Sequence, residues 1–197
     1  MSLPIKRVAL GVRFQPHFQV ADVFGKLVDQ ILYSGGSPFG PSTFPLVRSN
    51  PTERTLVNEE TNNSLHLTIR DAILEMDVNT TSYAEIENLT KDYNVYVLNY
   101  LRSLANLTGI ERYGILLTLD ECRNELNEMP VQHYLGAEFD EARSLQMRFT
   151  RRLPCLEARV KKNVDDFRNA IYIVEQDEGE NVNIRIDYQE YFKPALD

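Results

Sequence analysis

The hydrophobic period of this chain switches repeatedly between two and about 3.6 residues, and few architectures accept that order of elements. Over residues 7–14, Val8, Leu10, Val12 and Phe14 alternate with Arg7, Ala9, Gly11 and Arg13. That is the pattern of a strand with one face buried. Over 19–33, Val20, Phe24, Leu27, Val28 and Ile31 fall on one stripe of an α-helix, which Gly35-Gly36 ends. Residues 34–51 carry Gly35, Gly36, Pro38, Gly40, Pro41, Pro45 and Pro51, so they read as a long loop.

Alternation returns at Leu65, Leu67 and Ile69 and again at Leu74, Met76 and Val78, with Arg70-Asp71 as the turn between two strands. Ser82-Tyr83-Ala84-Glu85 then has the form of a capping box. Ile86, Leu89, Tyr93, Val97, Leu101 and Leu104 continue at helical spacing, and Gly109 fits the stop. The predicted helix is roughly 35 Å long at 1.5 Å per residue. Residues 110–119 read as a strand and 120–142 as an acidic, irregular stretch. Residues 145–149, 156–160, 170–175 and 182–188 read as an antiparallel meander, with a hairpin loop at 177–181.

This order predicts an α+β fold: a ferredoxin-like β-α-β-β-α-β core followed by an antiparallel β-meander. The whole chain, 1–197, reads as one domain, with 1–119 and 143–197 as its possible halves. The composition is that of an ordinary globular protein, 43% apolar and 25% charged. A formal charge of −8 disfavours long-range attraction to nucleic acid and anionic membranes. No apolar run approaches the length of a membrane helix, and no signal peptide is recognisable, so a cytoplasmic protein is expected. Cys122 and Cys155 form no metal-binding or redox motif, and the Asn-x-Ser/Thr sequons at Asn62, Asn79, Asn88 and Asn106 are read as chance.

Three patches resemble an uncharacterised, sporadically distributed bacterial protein family. They are Ile5–Phe14, with its apolar-x-apolar-Arg-Phe ending; Leu65–Tyr83, which ends in Thr80-Thr81-Ser82-Tyr83 ahead of a helix; and Ile110–Leu116. Val182–Tyr188 is similar to an Asp-bearing strand near the end of such proteins. Where the family has Leu-Arg-Tyr-Asn, this chain has Leu116-Leu117-Thr118-Leu119. The family has no established activity, so the resemblance implies no catalytic residues and no cofactor.

The residues themselves offer no catalytic constellation. His17, His66 and His133 are scattered, and phosphate-cradling loops, nucleophile elbows and histidine-based metal motifs are missing. Glu75 and Asp77, with Asp187, form the one carboxylate set worth weighing for a metal-dependent hydrolase. The one charge asymmetry is Arg148, Arg151, Arg152, Arg159 and Lys161, a candidate site for nucleic acid or an acidic partner. Tyr93, Tyr96 and Tyr100 lie at helical spacing as a candidate partner interface. The apolar band of the 82–107 helix is wider than one stripe, which suggests burial against a second copy or another protein. The expectation is therefore a non-enzymatic protein-interaction, regulatory or immunity-like protein that uses no metal or cofactor. An RNA- or nucleotide-binding domain is the alternative.

Overall fold

The computed structural model describes residues 4–119, 145–153, 165–176 and 182–196. Its central strand is β1 (Ile5–Phe14). Val8, Leu10, Val12 and Phe14 are all buried, which bears out the alternation in the sequence. β1 lies antiparallel between β5 (Asp71–Thr80) and β6 (Ile110–Leu119). On one side the sheet continues through β4 (Asn63–Thr68) and β3 (Glu53–Asn58) to the edge strand β2 (Leu46–Asn50). On the other it continues through β9 (Val182–Leu196) and β8 (Phe167–Gln176) to β7 (Leu145–Leu153). All nine described strands form one antiparallel sheet, in the order β2-β3-β4-β5-β1-β6-β9-β8-β7.

The expected ferredoxin-like β-α-β-β-α-β core followed by a meander is therefore corrected. Four strands, not two, lie between the helical segments. The carboxy-terminal strands do not form a layer of their own, because β9 adds directly to β6. The missed strands β2 and β3 have a physical reason to be missed. β2 is exposed along its whole length, and in β3 only Leu56 is buried, so neither carries a regular apolar alternation. The predicted strand at 156–160, the acidic stretch 120–142 and the loop 177–181 lie outside the described residues, as do Cys122, Cys155 and His133.

Both helical segments pack on the face of the sheet that carries Val8, Leu10 and Val12. α1 (Gln19–Tyr33) buries Val20, Phe24, Leu27, Val28, Ile31 and Leu32, the expected stripe and one residue more. The second helix starts as α2 (Tyr83–Tyr93), widens into a π-helical stretch over Asn94–Leu98 and resumes as α3 (Asn99–Ala105). Ser82 makes no side-chain capping bond, so the capping box does not form; the Ser82 carbonyl accepts the Glu85 amide instead. The helix stops on Asn106, whose left-handed φ of 50° takes the role expected of Gly109.

The wide apolar band of this helix is used within the chain. Val97, Leu98 and Leu101 are buried between the sheet and α1, and Tyr96 and Tyr100 meet edge to face at 6.4 Å. A homodimer is not needed to explain the band. The loop after α1 is anchored by Phe39 and Phe44, both buried, with ring centroids 6.3 Å apart. Gly36 adopts φ +83°, and a Cβ there would come within 3.2 Å of the Tyr96 hydroxyl. No helix among the described residues is long and apolar enough to cross a membrane.

Leu101 is fully buried and Tyr93 donates a 2.7 Å hydrogen bond to the Ala72 carbonyl. Leu101→Ala is expected to cost about 2–5 kcal/mol. Tyr93→Phe, which removes only the bond, is expected to cost about 1 kcal/mol. Urea unfolding followed by circular dichroism measures both, and equal losses would contradict the packing described.

Candidate binding surfaces

Strand register sorts side chains onto two faces, since successive residues point to opposite sides. The face away from the helices carries Arg7, Ala9, Gly11 and Arg13 of β1. Across the paired strands, Asp71, Arg13, Arg112, Tyr191 and Phe167 stand in one transverse row. The next row holds Ile73, Gly11, Gly114, Gln189, Asn169 and Arg152. The facing pair Gly11 and Gly114 leaves the centre bare. The result is a shallow depression of about 130 Å³ bordered by Asp71, Ile73, Arg112, Asp187 and Gln189.

Charges on this open face are unevenly matched. At one end Arg7 donates to Glu75 at 2.8 Å and to Asp77 at 2.6 Å, and Arg185 pairs with Glu175. At the other end Arg13, Arg112 and Lys193 form no ion pair with any described residue. Together with Tyr191 they line a second hollow of about 450 Å³, in which Glu111 is the single acidic residue. The aromatic part of the row is already filled. The Phe167 and Tyr191 rings stack at 4.6 Å and 15°, with Arg152 at 4.3 Å over Phe167 and Arg112 at 5.8 Å over Tyr191. This sandwich fixes two guanidinium groups on either side of a ring pair.

The sequence-derived candidates divide. Arg148 and Arg152 lie on the open face, whereas Arg151, opposite Ala170, lies on the helix side. Arg159 and Lys161 lie outside the described residues. Arg152 is 3.7 Å from Asp165. Of the tyrosine stripe, Tyr93 is inside the core and Tyr96 and Tyr100 are half-buried against it. The carboxylates weighed for metal chemistry do not converge. Glu75 and Asp77 are held by Arg7, and Asp187 sits in the Glu75 row three strands away, roughly 14 Å at the usual spacing. Among the described residues no group of three or more His, Cys, Asp or Glu side chains is placed to hold a metal ion. His17 meets the Ala105 carbonyl at 2.6 Å, and His66 is 2.7 Å from Glu53.

Arg13, Arg112, Phe167, Tyr191 and Lys193 were not legible as a site. Each is an outward residue of its own strand, but their adjacency depends on β6 pairing with β1, β9 with β6 and β8 with β9 in this register.

A further hollow lies on the helix side, where the sheet extends past α2 and α3. It encloses about 550 Å³ between Tyr93 and Arg102 of the helices and Tyr113, Ile115, Tyr188 and Glu190 of β6 and β9. Arg102 Nη2 donates to the Tyr113 hydroxyl at 3.0 Å. Burial raises the Tyr113 pKa, opposed by Arg102 and reinforced by Glu190.

No protein-family model and no curated protein matches the chain. The geometry of the two surfaces is therefore what any functional assignment has to rest on.

Asp187 sits above the usual aspartate range because its burial outweighs the Gln189 hydrogen bond and the nearby Arg112 and Arg148 charges. A raised folded pKa means the native state binds the proton more tightly. This group's contribution therefore falls as pH rises from the ordinary aspartate pKa, about 3.9, to the higher folded one. Asp187→Asn keeps an acceptor for Gln189 and removes the titration. The Tm difference between variant and parent is expected to be more favourable at pH 7 than at pH 3.5, and a difference independent of pH would refute the assignment.

Proposed function

We propose that the protein is a non-enzymatic binding protein whose open sheet face docks an acidic segment of a protein partner. The observation that carries the reading is the row Arg13, Arg112, Tyr191 and Phe167, with Arg152 of the next row over Phe167 and Lys193 beside it, cationic at one end of a face that no described helix covers. Arginine forks match carboxylates in two-point geometry, and Arg and Tyr are enriched where interfaces concentrate their energy.

The same row argues against the RNA alternative. Sheets that read single-stranded RNA stack bases on free aromatic faces. Here the facing sides of Phe167 and Tyr191 cover each other, and Arg152 and Arg112 lie over the outer sides. Asp71, Glu111 and Asp187 interrupt the cations, and the chain as a whole carries −8. A protein segment with its own mixed charges fits that pattern better than a uniform polyanion.

Fluorescence anisotropy with an Asp/Glu-rich peptide and a single-stranded oligouridylate of equal charge separates the two. The peptide is expected to bind more tightly, and Arg13→Glu with Arg112→Glu is expected to weaken it by about tenfold or more. Arg151→Glu, on the other side of the sheet, should leave it unchanged. Tighter binding of the oligouridylate, or equal peptide affinity in the double variant, would overturn the proposal.

A further inference from the structure

The helix-side hollow is independent of the open face and has the make-up of a small-molecule site. Its volume of about 550 Å³ lies within the 300–1,000 Å³ typical of ligand pockets. Its floor is apolar, formed by Leu10 and Ile115, and Tyr93 and Tyr188 contribute rings. Opposite charges flank one tyrosine. Arg102 reaches the Tyr113 hydroxyl from α3, and Glu190 stands directly across from Tyr113 on β9. Neither Arg102 nor Glu190 forms an ion pair with a described residue. The Tyr113 hydroxyl accepts from Arg102, so its own proton is left to donate.

The helical wall is unusual at this place. Asn94, the first residue of the π-helical stretch, lines the hollow, while Val97 and Leu98 of that stretch are buried. A π turn inserts a residue and rotates the helix beyond it, a device that recurs at functional sites. Here one helix buries Tyr93, Val97 and Leu98 and still presents Asn94 to the hollow that Arg102 lines further along.

We propose that this hollow binds a small zwitterionic ligand with an apolar body, that is, a hydrophobic amino acid or a short peptide of such residues. The ligand carboxylate meets Arg102 and the Tyr113 hydroxyl, its ammonium meets Glu190, and its side chain lies on Leu10, Ile115 and Tyr188. A ligand with only one charge leaves either Arg102 or Glu190 desolvated beside it without a partner, which costs affinity.

Isothermal titration calorimetry on the full chain tests this with L-phenylalanine and L-leucyl-L-phenylalanine. Binding of either supports the site, and which one binds identifies the source as a free amino acid or a peptide. N-acetylation of the bound compound should weaken it about tenfold, and amidation of its carboxylate likewise. The first penalty should vanish in Glu190→Gln and the second in Arg102→Gln. No heat from either compound at millimolar concentration, or penalties that persist unchanged in folded variants, would overturn the proposal. The Arg13→Glu and Arg112→Glu pair faces the other side of the sheet and should not alter these titrations, so failure here is separable from failure at the open face.

Discussion

Burial of β1 beneath two helices is the contact on which the rest of the molecule depends. Val8, Leu10, Val12 and Phe14 sit in the middle of the sheet, flanked by Ala72 and Leu74 of β5 and by Ile115 and Leu117 of β6. α1 and the α2–α3 helix meet over this strip and bury Phe24, Leu27, Val97 and Leu101. The first strand is thus enclosed by elements that come later, and its hydrogen-bond partners are separated from it by more than fifty residues of chain. Long-range pairing of this kind must form before the apolar contacts gain their full strength. The helices supply local order that offsets part of that delay.

The same enclosure creates the asymmetry between the two faces. Because strand side chains alternate, committing one parity of β1 to the core commits the other parity to the open face. Arg7 and Arg13 are therefore outward by necessity, and Gly11 leaves space between them. The described helices pack over the middle of the sheet, around β1 and β5. On that side Tyr188 and Glu190 of β9 share a hollow with Tyr93, Asn94 and Arg102 of the helices. Both candidate surfaces result from this one arrangement.

Much of the local structure was legible in the sequence. The alternation in 7–14 identified β1 and its buried parity, and the stripe in 19–33 identified α1 residue by residue. The strands around Leu65 and Leu74 and the strand at 110–119 also lie where periodicity put them. The features that failed were those that needed partners. β2 and β3 carry Arg48, Glu53, Arg54 and Asn58; β2 is exposed throughout and β3 is half-buried at every position but Leu56, so no period marks them. The capping box of Ser82 and Glu85 had the right residues, but the chain reaches Ser82 through Thr80, whose hydroxyl takes the Ser82 amide. The cation row eluded the sequence because Arg13 and Arg112 lie ninety-nine positions apart and become neighbours only in the sheet. Arg148 and Arg152 were visible as a cluster, yet a run of basic residues on a strand is split between faces by its own alternation.

The edge strand β2 has a consequence for how the chain behaves among its own copies. Leu46 and Val47 are nearly half exposed, and the outer backbone groups of a terminal strand are left open to any extended chain that approaches. Pro45 and Pro51 bracket the strand and lack the amide that a growing ladder would require. Arg48 pairs with Glu59 alongside it, and a charge on an edge opposes the stacking of identical strands. The two prolines hold the reactive margin to five residues. The chain thus keeps an apolar edge while denying it the length from which a fibril could start.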